Sequence, residues 1–585
     1  MAVVRSLEIK NFRSIKELDW EPQTGINCLI GPGDTGKSSI IDAIDLCLGA
    51  RRTMQISDSD FHNLDVENPI EITVTLGALP DSLKNIDTYG LYLRGFNLDT
   101  GEIFDEPEKG LDTVLTLKLI IESDLEPQWS LVSERAEALG QQRSISWKDR
   151  IEIAPTRLGT ISDFHLGWRR GSLLQKLSDE KADASSALIK AARDVRSSFG
   201  DQANKQLEQT LEKVTKAANE LGVPVGDKAQ ALIDAGSLSF NGGTISLHNE
   251  NNIPLNKLGL GSTRLLIAGI QNAVAENTSI ILVDELEYGL EPHRIIRLLD
   301  ALGAKSEDPS LQVFMTTHSP VVVRELSGDQ LMIMRRRKLR HTIKSAGISD
   351  EVQGTIRKFP EALLAPKILV CEGASEVGLI RGLDQYNTSH NEKSLLAQGT
   401  VLVDGGGDTA TARALALQSL GYRVALFQDN DLTTKKKRID LADKAAKEKK
   451  FKSEDGEIYT WKEGLALEDV LFLYLGNDEV NKLLETALEL RGQKLLDDHI
   501  KSVSGNKTDW ETVYHEDQGE DESFSEATRI LFGKASRSKQ NSWYKSVTIM
   551  ENIGRHIVGP GMDEADDEFT KIIDGIFNWI SDDDY

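Results

Sequence analysis

The sequence predicts an α/β chain in two parts: a phosphate-loop sheet divided by a helical insertion, then a smaller parallel sheet of Rossmann type. Three observations predict it. Gly31-Pro-Gly-Asp-Thr-Gly-Lys-Ser38 stands between an apolar run and a helical pattern. Ile280-Ile-Leu-Val-Asp-Glu285 is a strand-like run ending in two acids. After Ala365 strand and helix patterns alternate, and the strands close on carboxylates.

The first part opens with Ser6–Ser14, which alternates like a strand, and Gly25–Ile30, an apolar strand. A helix is expected over Ser38–Leu48, with strands at Ile70–Leu76 and Asp112–Ile121. From Ser172 to Leu221 the pattern turns helical, with charges four residues apart. That insertion is expected either to join two copies of the chain or to pack within one. Strands resume at Ser237–Leu247, Thr278–Val283 and Leu311–Met315, and Leu331–Lys344 reads as an edge strand or linker. The second part reads strand 368–371, helix 375–386, strand 400–403, helix 408–420, strand 423–428. The expected boundaries are 1–165 and 236–345 for the two pieces of the first domain, 166–235 for the insertion and 346–585 for the second domain.

Composition narrows the setting. A chain of 585 residues with 39% hydrophobic and 28% charged residues has material for several cores. Cys28, Cys47 and Cys371 lie far apart in apolar segments, which argues against a zinc module or a disulfide framework. The opening Ala2-Val-Val-Arg is unlike a secretion signal, and no apolar run approaches the roughly 18 residues of a membrane span, so a cytoplasmic location is expected. A net charge of −25 argues against a protein that coats nucleic acid with its whole surface. The acidic runs Glu516–Glu522 and Asp582–Asp584 read as solvated loop and tail.

The glycine loop supplies a nucleotide site. Backbone N–H groups around Gly31, Gly33, Asp34 and Gly36 can cradle phosphates, Lys37 can reach their oxygens, and Ser38 and Ser39 open the helix, with Ser38 a ligand for Mg²⁺. Asp284 suits the Mg²⁺ shell and Glu285 the attacking water. Leu258-Gly259-Leu-Gly261-Ser262 precedes a helix expected over Thr263–Ala275, and His318 follows a strand in Phe314-Met-Thr-Thr-His-Ser-Pro320. Together these resemble the ABC-type ATPases, whose signature motif and switch histidine occur in this order. The long interval between Lys37 and Asp284 resembles the SMC and RecF-like branch, with an insertion far too short for an SMC arm.

In an open parallel sheet ligands gather at the carboxyl ends of strands. Glu372, Asp404 and Asp429 close the three strands of the second part, with Glu376 one helical turn after the first and Asp431 two residues after the last. Acids so placed repel unless a cation lies between them, and oxygen donors suit Mg²⁺ or Mn²⁺. Glu372-Gly-Ala-Ser-Glu376, Asp404-Gly-Gly-Gly and Asp429-Asn-Asp431 resemble the Toprim domain of topoisomerases, primases and some nucleases. Glu376 and Glu468, with Asp404 weaker, are candidates for a second metal ion, whereas Asp469 reads as an ordinary helix-start acid. Lys545, with Lys534 as alternative, is the expected cation at the scissile phosphate. Lys435–Arg438 and Arg335–Lys338 are basic clusters that either touch a nucleic-acid backbone or form solvated faces.

An ABC-type ATPase followed by Toprim resembles the OLD (overcoming lysogenisation defect) nucleases over nearly the whole chain. The resemblance implies an ATP-regulated, metal-dependent DNA endonuclease with ATP and two Mg²⁺ or Mn²⁺ ions. It also implies self-association through the ATPase region, and a role in antiphage defence, alone or beside a helicase-like partner as in Gabija systems. Two rival readings remain: an SMC/RecF-like DNA-repair or DNA-sensing ATPase whose Toprim fold docks nucleic acid, and a sensor that restrains a separate effector.

Overall fold

The computed structural model describes residues 2–50, 55–158, 205–220, 227–228, 249–250, 254–255, 258–273, 280–337, 340–430, 438–516, 523–538 and 541–582. Asp431, the Lys435–Lys437 run, the strand expected at Ser237–Leu247 and most of the insertion lie outside them. Of the insertion, the helix Glu208–Glu220 is described.

Among the described residues thirteen strands form the first sheet. They are β1 (Val3–Phe12), β2 (Ile15–Trp20), β3 (Ile26–Ile30), β4 (Ile70–Gly77), β5 (Leu93–Phe96), β6 (Ile103–Phe104), β7 (Asp112–Ile121), β8 (Pro127–Val132), β9 (Thr156–Leu158), β10 (Ile280–Val283), β11 (Gln312–Thr316), β12 (Leu331–Arg337) and β13 (Arg340–Ser345). Their order is β6-β5-β7-β4-β1-β2-β13-β12-β3-β11-β10-β9, with β8 beside β7. The β12-β3-β11-β10-β9 half is parallel, and β3, β10 and β11 are buried along their whole length. Burial on both faces explains why these strands read as unbroken apolar runs. The helix Lys37–Leu48 packs on one face through Ile40, Ile41, Ile44 and Leu48.

The second sheet has β14 (Lys367–Cys371), β15 (Thr400–Asp404), β16 (Arg423–Gln428) and β17 (Glu457–Thr460), all parallel in the order β15-β14-β16-β17. Its crossovers include the helices Ala374–Ser389, Ala410–Ser419 and Arg438–Ser453. Trp461, after β17, stands edge-on to Phe427 and stacks on Phe569, each with centroids 5.5 Å apart. A single apolar core joins the two sheets: Ile26, Val283 and Met315 of the first belong to one cluster with Ile368, Val403 and Leu426 of the second.

Two expectations are corrected. Leu331–Lys344 is no linker: β12 lies between β3 and β13, with Leu331–Met334 buried, because the apolar residues serve both faces of an interior strand. The three-strand unit also carries a fourth strand, β17, which the sequence reading missed.

His341 on β13 is 2% exposed, and burial, then the charge of Arg336 and the presence of His62, hold its imidazole down to about 4. The folded chain therefore resists a proton that the unfolded chain accepts near pH 6.5. Stability from this group is full above about pH 6.5 and declines as pH falls toward 4, by about 2–3 kcal/mol. Thermal midpoints measured from pH 7 to 4 should fall more steeply for the wild type than for His341→Gln. Parallel slopes would refute the assignment.

Candidate functional site

The phosphate loop follows β3. Gly36 caps the helix at φ +91°, and an added Cβ would lie 2.6 Å from Ser14 Oγ, so only glycine serves there. Gly31 is equally confined, at φ +151° and against the Met334 carbonyl. Gly33 and Asp34 are exposed at the loop's crest, while Lys37 and Ser39 are buried. Lys37 Nζ donates to the carbonyls of Gly31 (3.0 Å) and Pro32 (2.7 Å). Burial lowers its pKa, opposed by Asp34 and Asp284 and reinforced by the charge of Arg335.

Sheet order brings the distant motifs together. β10 and β3 flank β11, so Asp284, His318 and the loop emerge at the same carboxyl edge. Ser38 Oγ donates to Asp284 Oδ1 at 3.0 Å across 246 residues, the pairing expected of two ligands to one Mg²⁺. Thr316 Oγ1 donates to the same oxygen (2.6 Å) and accepts from the Glu285 N–H (2.8 Å). Glu285 is exposed at φ +47°. His318 is exposed after β11, its N–H bound to Glu287 Oε1 (2.7 Å), while Thr317 Oγ1 holds Oε2 (2.6 Å).

The glycine signature differs from expectation. The helix runs Leu260–Ala273, so Gly261 and Ser262 lie in its first turn and only Gly259 precedes it. Gly261 packs where a Cβ would meet the Gly289 carbonyl at 2.7 Å, and Ser262 Oγ accepts from Arg294 (3.0 Å). The same helix carries Arg264, 2% exposed, whose guanidinium donates to the carbonyls of Asp284, Glu285, Leu286 and Tyr288. Arg264, Glu287, Thr316 and Thr317 escaped the sequence reading. The one signal was their position within a few residues of recognised motifs.

At the second edge the parallel register sets Glu372, Asp404 and Asp429 side by side at the ends of β14, β15 and β16. Glu372 Oε2 accepts from the Asp429 N–H (2.9 Å), and Asp429 Oδ1 accepts from the Leu467 N–H (2.9 Å), which draws in the helix Leu467–Tyr474 that bears Glu468. Asp404 Oδ1 accepts from the Gly406 N–H (2.8 Å). Glu376 and Glu468 are 4% and 8% exposed. Burial, then Glu468 and Glu372, push the Glu376 carboxyl up to about 7. Burial and Asp469 raise Glu468, while Lys545 and Arg537 pull it back. Lys545 and Arg537 are thus the two cations whose charge reaches Glu468. Lys534 is exposed on the helix Glu526–Ser536, whose Gly533 abuts Asp469. Asp469 caps Ala466 N–H (3.0 Å) and pairs with Arg537 (3.2 Å), in keeping with a structural role.

Hard oxygen donors at a shared edge, with Glu376 and Glu468 buried and the charge of Glu468 raising Glu376, are of the kind that suits Mg²⁺ or Mn²⁺. Among the described residues no three acids are preassembled as a ligand cluster, and Asp431 lies outside them. The basic cluster Arg335–Lys338 is corrected in part: Arg335 is buried, which removes it from any exposed backbone-binding face.

Such a chain joins a phosphate-loop sheet, its loop paired with the Asp284 strand end, to a parallel α/β sheet edged with carboxylates. It belongs to the family described as "AAA domain, putative AbiEii toxin, Type IV TA system", whose model matches residues 26–324. It is similar to the OLD nuclease of Thermus scotoductus, 22% identical over 493 residues that cover 77% of this chain and 86% of the relative. An ATP/GTP phosphatase of Helicobacter pylori is 25% identical over 392 residues, covering 60% of this chain and 94% of its own. The SMC head domain from Thermotoga maritima overlays with a TM-score of 0.28 at 14% identity, over 59% of this chain and 99% of that one. No helix among the described residues is long and apolar enough to cross a membrane.

Proposed function

We propose that this protein is an ATP-regulated, divalent-metal-dependent DNA endonuclease of the OLD type, with a Toprim catalytic domain, serving antiphage defence. The observation that carries the reading is the placing of Glu372, Asp404 and Asp429 at the ends of three parallel strands, with the buried Glu376 and Glu468 on adjoining helices, in a chain with a paired Ser38 and Asp284. A surface that merely docks phosphates has no use for converging acids. The similarity to an OLD nuclease over most of both chains supports it.

Glu372, Asp429 and Asp431 would hold one ion, and Glu376 and Glu468, with Asp404, a second. When bound, two such ions supply a water ionised at neutral pH and charge for the attacking and leaving oxygens. Lys545 would steady the scissile phosphate. The phosphate loop binds ATP, and copies associate through the ATPase region, where exposed Gly259 stands in open space before its helix. A helicase-like protein is a further proposed partner.

Incubating supercoiled plasmid with the protein and Mg²⁺ or Mn²⁺, with and without ATP, tests the reading: wild type nicks, and an absence of nicking overturns it. Lys37→Ala should change how ATP alters the nicking rate and leave cutting in nucleotide-free buffer intact. Complete loss of that basal cutting would contradict a regulatory role for the loop.

A further inference from the structure

Arg335 stands near the carboxyl end of β12, two residues past Ile333, which pairs with Ile30 just before the phosphate loop. The backbones there are in close contact, since a Cβ on Gly31 would lie 2.5 Å from the Met334 carbonyl. The Arg335 side chain is 6% exposed and points to the second sheet. Its guanidinium lies 3.9 Å from the centroid of the Tyr422 ring, and its Cγ is the atom that a Cβ on Gly421 would meet. Its charge also bears on Lys37.

Tyr422 directly precedes β16, and its hydroxyl donates to the Leu363 carbonyl at 2.6 Å. The far end of β16 delivers Asp429, about 20 Å away at the usual rise of a strand. The buried guanidinium, carried on a strand whose backbone touches the phosphate loop, is held over an aromatic face that belongs to the second sheet. A cation in this place has one distinctive property: it responds to phosphate charge arriving at the adjacent loop.

We propose that Arg335 is a positioning residue that couples the two sites: nucleotide phosphates draw its guanidinium away from Tyr422, and β16 carries the displacement to Asp429. The inference deepens the function proposed above and rests on it for the meaning of the coupling. It does not rest on it for the coupling itself.

Hydrogen exchange of the 423–430 amides in the full-length protein, with and without saturating Mg²⁺ and a non-hydrolysable ATP analogue, reads the coupling directly. In the wild type the analogue should change exchange in β16 by about threefold or more. Arg335→Met should bind a fluorescent ATP analogue within about fivefold of wild type, yet lose that response. Arg335→Lys, which keeps the charge but stacks less well, should retain part of it. Tyr422→Leu, which leaves the arginine intact, should lose it as well and serves if Arg335→Met fails to fold. A wild type without a β16 response, or a variant that binds the analogue and keeps the full response, overturns the proposal. Plasmid nicking in parallel separates the two ideas: a β16 response without nicking removes the nuclease reading and leaves the coupling, and nicking without a response does the reverse.

Discussion

Glu372→Ala should abolish metal-dependent nicking, lowering the rate by at least about a hundredfold, the scale seen when a group that stabilises developing charge is lost. Two effects combine in this one side chain. It is a proposed metal donor at the centre of the carboxylate edge, directly after β14, one of the two middle strands. Its Oε2 also accepts the Asp429 N–H, so removing it frees the backbone that aims the neighbouring acid. Asp429→Asn should act in the same direction while preserving shape, though its side chain would still meet the Leu467 N–H. A fluorescent ATP analogue should still bind both variants, within about fivefold of wild type, because neither side chain belongs to the phosphate loop. Nicking by Glu372→Ala at the wild-type rate would show that the acids serve packing alone.

Arg264→Met should cost about 3–5 kcal/mol, the range for breaking a buried charged network. The guanidinium donates to four carbonyls in the five-residue turn 284–288, which holds both Asp284 and Glu285. Burial lowers its pKa while Glu287, Asp284 and Glu285 oppose the shift, so the arginine stays charged within an acidic turn. Without it, those carbonyls face an apolar side chain, and Glu285 loses the anchor for its left-handed backbone at φ +47°. The expected result is a thermal midpoint lower by about 5–10 °C, together with loss of ATP hydrolysis. Arg264→Lys should recover little, since an ammonium lacks the planar fork that reaches several carbonyls at once. A midpoint unchanged by Arg264→Met would show that the turn holds itself.

The elements legible in the sequence were those whose pattern matched their burial. Arg423–Gln428 was read to the residue because an interior parallel strand is apolar on both faces and ends where its ligand side begins. The phosphate loop and the 280–285 strand were legible for a similar reason, since glycine and acid positions there are dictated by backbone approach to phosphate. β17 was missed because Glu457-Ile-Tyr-Thr460 is a half-buried edge strand too short for periodicity to register. β12 was misread because its apolar start runs into three arginines, which read as a solvated boundary until the second sheet supplies Tyr422. Arg264 carried no signal, because a helical arginine is usually a surface residue and its four acceptors follow it by about 20 residues. The acids after β14, β15 and β16 were recoverable, since strand ends of one parallel sheet share an edge. Glu468 owes its place to an Asp429–Leu467 hydrogen bond that no spacing rule foretells.

The core shared by the two sheets limits how this protein can change through descent. Ile26, Val313 and Met315 pack in one cluster with Ile356, Ile368 and Leu426, so a third core spans the two halves beside the one that each half keeps to itself. A second half exchanged for that of a distant relative would bring a mismatched set of side chains to the seam, with voids or overlaps on both sides of it. Substitutions along the seam have to be answered from across it, which favours the two halves changing together.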